Sequence, residues 1–336
     1  LLSSKKALVE TLAKIAQVNI LVVGDLILDR YVWGGVDRIS PEAPVPVVEV
    51  RRTEDRLGGA ANTARNLRRI GAQVNLCGFI GDDDEGSAIL GLLDRDGIIH
   101  EGVIADRTRP TTLKTRIIAQ SQQIVRIDRE SRVVQAVAMR EGFAAVVESQ
   151  IESVQGIILS DYGKGTISEP LIRILDSATT NGKIGLRARP LIVDPHPANY
   201  GIYRTMSVVK PNRKEAEQAT GIKIHNRDSA VEAARALLKK WSASLALITM
   251  GEDGLMLLAA TDPDPIFLDT MAQEVFDVSG AGDTVTAVFA AALATGADKV
   301  VAGDLANLAA GIVVSEVGTV AVDPVRLRHE IDRLAK

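Results

Sequence analysis

The sequence predicts an α/β protein, with a mainly parallel sheet covered by helices on both faces and a small separate sheet attached. Three observations carry this. Short apolar runs bounded by turn residues alternate with segments of helical period through the middle of the chain, the pattern of a parallel, doubly covered sheet. The 336 residues are 46% hydrophobic, enough for one large core. Two patches, about 31–53 and 111–128, break the alternation with strand-like texture and are expected to combine into one small sheet, a lid inserted in a single domain spanning 1–336. Two ordinary edge hairpins are the other reading of those patches.

Composition excludes several classes. A formal charge of −4 and a pI near 5.7 give no electrostatic reason to bind nucleic acid or an anionic membrane. The single cysteine, Cys77, lies in an apolar run and reads as a buried strand residue. The four histidines lack metal-ligand spacing. No apolar run is long enough to span a bilayer and the N-terminus lacks a signal-peptide layout, so the expected location is cytoplasmic.

Taken in order, Ser3 to Gln17 is an amphipathic helix and Asn19 to Gly24 a buried strand. That strand leads to Asp25 and Asp29, placed where ligands gather at strand carboxyl ends, or else surface turn acids. Only Gly24 stands where a dinucleotide fold needs three glycines, and no P-loop pattern occurs anywhere. Gly58 and Gly59 open a helix closed by Gly71. They would let backbone amides approach a hydroxyl-rich ligand, with Asn62 adding a donor and an acceptor, although helix initiation alone also explains them. Strands follow at 73–81, 156–160, 191–194 and 207–210, with helices at 85–94, 136–153 and 170–181.

Two strand ends carry polar groups: Asp161 and Lys164 in the turn 160–165, and Lys210, Asn212 and Glu215 at the entry to a helix reaching Thr220. Asn212 and Glu215 fall on one face of a first turn, where they can hold the waters of Mg²⁺; taken alone, Glu215 is the acid of a capping box begun at Asn212. Residues 245–258 read as two strands around Thr249, Gly251 and Gly254, either a bare hairpin or one that admits a phosphate. The stretch from Glu274 to Leu293 runs a glycine turn into an apolar helix stopped by Gly296. Gly280, Ala281 and Gly282 allow close backbone approach at a helix N-terminus, which attracts anions, while Asp283 in the same turn suits taking a proton. A simple first-turn acid is the alternative for Asp283. A small-residue helix from Ala302, the segment Val317 to Val320 and a final amphipathic helix complete the chain.

These pieces together resemble the ribokinase (PfkB) family of carbohydrate kinases over nearly the whole length, in two regions, Gly58 to Asn62 and onward to Gly81-Asp82, and, the more specific, Asp277 to Thr284. Within it, Gly24 to Tyr31, Arg38 to Val47 and Ser160 to Gly165 are most similar to the D-glycero-D-manno-heptose 7-phosphate kinases of lipopolysaccharide precursor synthesis. In many bacteria that kinase is fused to a nucleotidyltransferase domain. This chain ends before one, so the kinase step alone is expected.

The resemblance implies a ribokinase-like three-layer fold with a lid and ATP- and Mg²⁺-dependent phosphorylation of a sugar phosphate. It makes Asp283 the base and the 280–282 amides the anion hole. It places Mg²⁺ at Asn212 and Glu215, the ATP phosphates at Thr249 and Gly251, adenine at Asn307, and sugar hydroxyls at Asp25, Gly59 and Asn62. Asp277 would serve a monovalent cation such as K⁺. A phosphorylated substrate needs a cation at its far end: Lys164 first, then Arg126, which could equally be a solvent-facing lid charge. Two stretches depart from the pattern, Gly185 to Pro190 as an added turn and Asp194 to Asn199. Alternatives are a kinase for ribose, fructose 1-phosphate or 2-keto-3-deoxygluconate, and a non-catalytic sugar- or nucleotide-binding sensor. An oxidoreductase is weakest. The open apolar face of a lid needs a cover, so a homodimer is expected.

Overall fold

In a computed structural model, residues 2–120, 122–131, 133–272, 275–316 and 318–334 are described. Glu274 and Val317, singled out above, lie outside them. In chain order the elements are α1 (Lys5–Ile15), β1 (Asn19–Gly24), β2 (Leu26–Ile39), β3 (Pro46–Gly59), α2 (Ala60–Arg69), β4 (Gln73–Gly81), α3 (Asp84–Asp96), β5 (Ile99–Asp106), β6 (Thr112–Ala119), β7 (Gln122–Arg129), α4 (Val137–Gln150) and β8 (Gly156–Ser160). There follow α5 (Glu169–Thr180), β9 (Leu191–Asp194), β10 (Met206–Val209), α6 (Arg213–Thr220), α7 (Arg227–Lys240), β11 (Ala243–Thr249), β12 (Leu255–Ala259), β13 (Ile266–Leu268), α8 (Ala281–Ala294), α9 (Lys299–Val313) and α10 (Pro324–Arg333).

The large sheet runs β13-β12-β11-β10-β9-β8-β1-β4-β5, parallel from β11 to β5, with β12 and β13 antiparallel at one edge. β1 shows why it is buried on both faces. Successive side chains point opposite ways, so Ile20 and Val22 join the core under α1, α2 and α8 to α10, while Leu21 and Val23 join the core under α4 to α7. The result is the three-layer arrangement the alternation predicts. No described helix is long and apolar enough to cross a membrane.

The small sheet runs β3-β2-β6-β7, with β2 and β6 parallel. Its first hairpin is longer than the two short strands expected within 31–53: β2 and β3 have 14 residues each. Register shifts at Trp33/Gly34 and Val36/Arg38 interrupt the alternation, which is why its period is hard to see in sequence. Gly58 and Gly59 therefore end a strand, with Gly59 also capping α2 at φ 57°. β5, α7 and β13 were not picked out from the sequence. Gly185 to Pro190 does form an added turn, closed by a bridge between Gly185 and Arg189.

Candidate active site

α8 starts at a left-handed Gly280, φ 80°, and its first turn carries Asp283, which is 3% exposed. Three donors converge on that carboxylate. Asn62 Nδ2 donates to Oδ2 at 2.8 Å, and the Tyr162 and Thr63 hydroxyls donate to Oδ1 at 2.7 and 3.3 Å. Burial pushes the Asp283 pKa up to about 6 against the pull of the Asn62 and Tyr162 hydrogen bonds. Such a group is ionised at neutral pH yet basic enough to accept a proton. A side chain at Gly280 would put its Cβ 2.9 Å from Asn62 Nδ2, whereas one at Gly282 would meet only Lys210 Nζ at 3.7 Å. The backbone at Gly282 is thus open to a ligand, with an ammonium close by.

Lys210 follows β10 and is 3% exposed. It pairs with Asp194 at 2.9 Å, and Asp194 also accepts from the Thr286 hydroxyl at 3.1 Å. Beside it, Asn212 and Glu215 form a reciprocal capping box on α6: Asn212 Oδ1 accepts from Glu215 N at 2.9 Å and Glu215 Oε2 accepts from Asn212 N at 2.8 Å. Burial first, then the charge of Asp194, raises the Glu215 pKa. Glu215 is thus the acid of a capping box that also lies close to the Asp194–Lys210 pair. Among the described residues, no three His, Cys, Asp or Glu side chains cluster as metal ligands.

Thr249 meets this corner through a parallel bridge to Asn212. Gly251, φ 65°, faces open space. Gly254 has a packing reason of its own, since a Cβ there would lie 2.0 Å from the Leu268 carbonyl oxygen. Asn307 donates to the Asp269 carbonyl at 2.7 Å, tying α9 to the loop after β13. Asp277 accepts from Ser279 N and Gly318 N, both at 2.9 Å. Burial alone would raise its pKa, but these bonds outweigh that and hold it below the usual value.

On the acceptor side several expected sugar contacts have protein partners. Asp25 accepts backbone N–H groups of Tyr162, Lys164 and Thr166 at 2.8, 3.0 and 3.0 Å, fixing the 161–166 loop. Asp161 accepts from Gly163 N and Asn199 Nδ2, each at 2.7 Å, and from the Tyr203 hydroxyl. Burial and the neighbouring Asp25 push its pKa up to about 7. Asp29 pairs with Arg116 at 2.5 Å, and Gly58 makes room for it, because a Cβ there would lie 2.4 Å from Asp29 Oδ2. Gly59 likewise lets the Asp25 carbonyl approach. Asn62 holds Asp283 instead of facing outward. Lys164 pairs with Glu130 at 2.6 Å, and Arg126 pairs with Asp128 at 2.9 Å on the exposed strand β7.

Sequence reasoning did not single out Tyr162, Thr63 or Asp194. The signal for Tyr162 was its place inside the turn that already held Asp161 and Lys164. Asp194 and Thr63 needed the third dimension, since nothing local separates them from ordinary strand-end and helix residues.

The description "pfkB family carbohydrate kinase" matches residues 17–326. Bifunctional protein HldE of Pelobacter propionicus is 42% identical over 327 residues, covering 97% of this chain and 66% of its own length. Bifunctional protein HldE of a Caulobacter species is 45% identical over 317 residues, with 92% and 63% covered. The chain thus spans a little under two thirds of these relatives. Among solved structures, Arabidopsis thaliana ribokinase complexed with ribose and ATP aligns at a TM-score of 0.72 and 18% identity over 95% of this chain and 99% of that one. Phosphofructokinase-2 from Escherichia coli in complex with substrates and products aligns at 0.74 and 16% over 94% and 99%. At these identities the two structures speak for the fold.

Proposed function

Because the chain belongs to the pfkB family of carbohydrate kinases, we propose that it transfers the γ-phosphoryl group of ATP to the anomeric hydroxyl of D-glycero-β-D-manno-heptose 7-phosphate. The product is the 1,7-bisphosphate of ADP-heptose and lipopolysaccharide precursor synthesis. The observation that carries the chemistry is Asp283, buried, with a pKa pushed up to about 6, in the first turn of a helix whose glycine entrance is open to a ligand. The acceptor oxygen attacks the γ-phosphorus, its proton passes to Asp283, and the bond to the leaving ADP oxygen breaks with its electron pair. Amides of the 280–282 turn, with Lys210 close by, stabilise charge on the phosphoryl oxygens.

Glu215 beside Asp194 gives a donor set that suits Mg²⁺, which Asn212 and Glu215 would hold through water. When bound, the ion neutralises charge on the ATP phosphates. Thr249, Gly251 and Asn307 are proposed on the nucleotide side. Asp277 keeps its charge and could serve K⁺ through its remaining lone pairs; comparing rates in potassium and tetramethylammonium salts tests this.

The sugar identity rests on the motif resemblance and on identity above 40% to proteins named bifunctional protein HldE. Turnover across heptose 7-phosphate, ribose, fructose 1-phosphate and 2-keto-3-deoxygluconate tests it, and equal rates on all four would remove the heptose claim. We place the protein in the cytoplasm, where ATP is present. A second copy is proposed to cover the small sheet, whose Val50, Val125 and Ile127 are 57%, 45% and 53% exposed. Sedimentation at micromolar concentration as a monomer would contradict this.

A further inference from the structure

Where the small sheet meets the 161–165 loop, Arg109 donates to the Lys164 carbonyl at 2.7 Å, and of four further cationic side chains three are matched by carboxylates. Arg116 holds Asp29, Arg126 holds Asp128 and Lys164 holds Glu130. Lys114 is the fourth. It sits beside Asp29 in the β2/β6 register and across from Asp128 in the β6/β7 register, yet it forms no ion pair with any described carboxylate, because those acids are already engaged by arginines. Its Nζ lies over the Tyr162 ring, 5.8 Å from the ring centre, and the hydroxyl of that ring donates to Asp283 at 2.7 Å. The Tyr162 side chain therefore contacts both an ammonium that has no ion pair and the base.

We propose that Lys114 binds the phosphate that the acceptor already carries, with the Tyr162 ring setting the span between that phosphate and the reacting hydroxyl. The inference rests on the reading above that the acceptor is a sugar phosphate, and it replaces Lys164 and Arg126 as first choice for the far-end cation. A half-buried ammonium without a carboxylate is gained by an anion more than an ion-paired one is, since no existing bridge has to break. Burial, with the Arg126 and Lys164 charges and against those of Asp29 and Asp128, also lowers the Lys114 pKa, the situation a dianionic phosphate relieves. His196 faces the same loop, its ring lying against Gly163, and burial and Lys164 hold it toward the neutral form, so it supplies no competing charge.

The test compares wild type, Lys114→Met and Lys114→Arg on heptose 7-phosphate and on the same heptose without its phosphate. The expected result is that the wild-type preference in kcat/KM for the phosphorylated sugar collapses by roughly 10- to 100-fold in Lys114→Met, mainly through KM, and is partly restored in Lys114→Arg. An unchanged preference overturns the proposal, as does an equal loss on both sugars, which marks Lys114 as structural. Thermal stabilisation by inorganic phosphate, read on the same three proteins, separates this inference from the substrate assignment. Saturable stabilisation that vanishes in Lys114→Met supports the anion site even if wild type shows no preference for heptose 7-phosphate, in which case only the sugar assignment falls. Stabilisation identical in wild type and Lys114→Met refutes the site.

Discussion

Replacing Tyr162 by phenylalanine removes one oxygen and leaves the ring in place, so it isolates a single hydrogen bond to Asp283. That bond, 2.7 Å long, favours the carboxylate form of a buried acid whose pKa burial has pushed up to about 6. A hydrogen bond to a charged group contributes about 1.5–3 kcal/mol, and 1.36 kcal/mol corresponds to one pKa unit, so losing it raises the Asp283 pKa by roughly 1–2 units. At pH 7 the ionised fraction of the base then falls from about nine tenths to between about one half and one tenth, a rate loss of roughly 2- to 10-fold. The loss is recovered near pH 9. The assay is kcat against pH for wild type and Tyr162→Phe under saturating substrates, whose own ionisations are common to both enzymes and cancel in the comparison. An acid limb that does not move, or a plateau lowered at every pH by the same factor, would refute the reasoning and make Tyr162 a packing residue.

Asp283→Asn removes the base and lowers kcat by roughly 10²–10⁴-fold, while ATP binding is retained. Its stability effect has a definite sign. The folded chain binds more protons than the unfolded one between the ordinary aspartate value and about pH 6, so stability falls as pH rises through that window, and the variant escapes a cost of roughly 2–3 kcal/mol at pH 8 that disappears below pH 4. Melting curves at the two pH values read this directly. Lys210→Met leaves the partly exposed Asp194 with only its Thr286 hydrogen bond and should cost about 1.5–3 kcal/mol in urea unfolding. Gly280→Ala forces a side chain into the left-handed region at roughly 1–2 kcal/mol and displaces Asn62 from the base, so both melting temperature and kcat drop. Gly282→Ala meets nothing closer than 3.7 Å, so the fold holds and the KM for ATP rises; an unaltered KM would show that no phosphate approaches there.

The parallel sheet was legible because its strands are apolar on both faces, so 156–160 and 191–194 stand out without knowledge of their neighbours. The glycine turn and Asp283 were legible for a different reason, since residue types that suit anion binding and proton transfer fall within one helical turn. What could not be read is how polar groups pair across the fold. Asp25 and Asn62 looked like sugar ligands from their places at a strand end and a first turn, yet one holds the 161–166 loop and the other holds Asp283, partners 137 and 221 residues away. Gly254 could not be assigned either, because its need for glycine comes from the Leu268 carbonyl, which belongs to a strand too short to predict.

Between β1 and β2 lies one residue, Asp25, whose carboxylate is pinned by three amides of the 161–166 loop. A central strand of the large sheet thus continues into the small sheet without a hinge. Arg30, paired with Asp55 and Glu85, and Arg129, paired with Glu85, bolt the near end of the small sheet to the start of α3. Mechanically the small sheet is a cantilever clamped at its root, and the bulge beside Gly34 marks where its third strand drops away. Beyond Gly34 the hairpin is two-stranded, because the pairing of β2 with β6 ends there, so a bend in its outer half would leave the spacing of Tyr162, Lys114 and Asp283 unchanged.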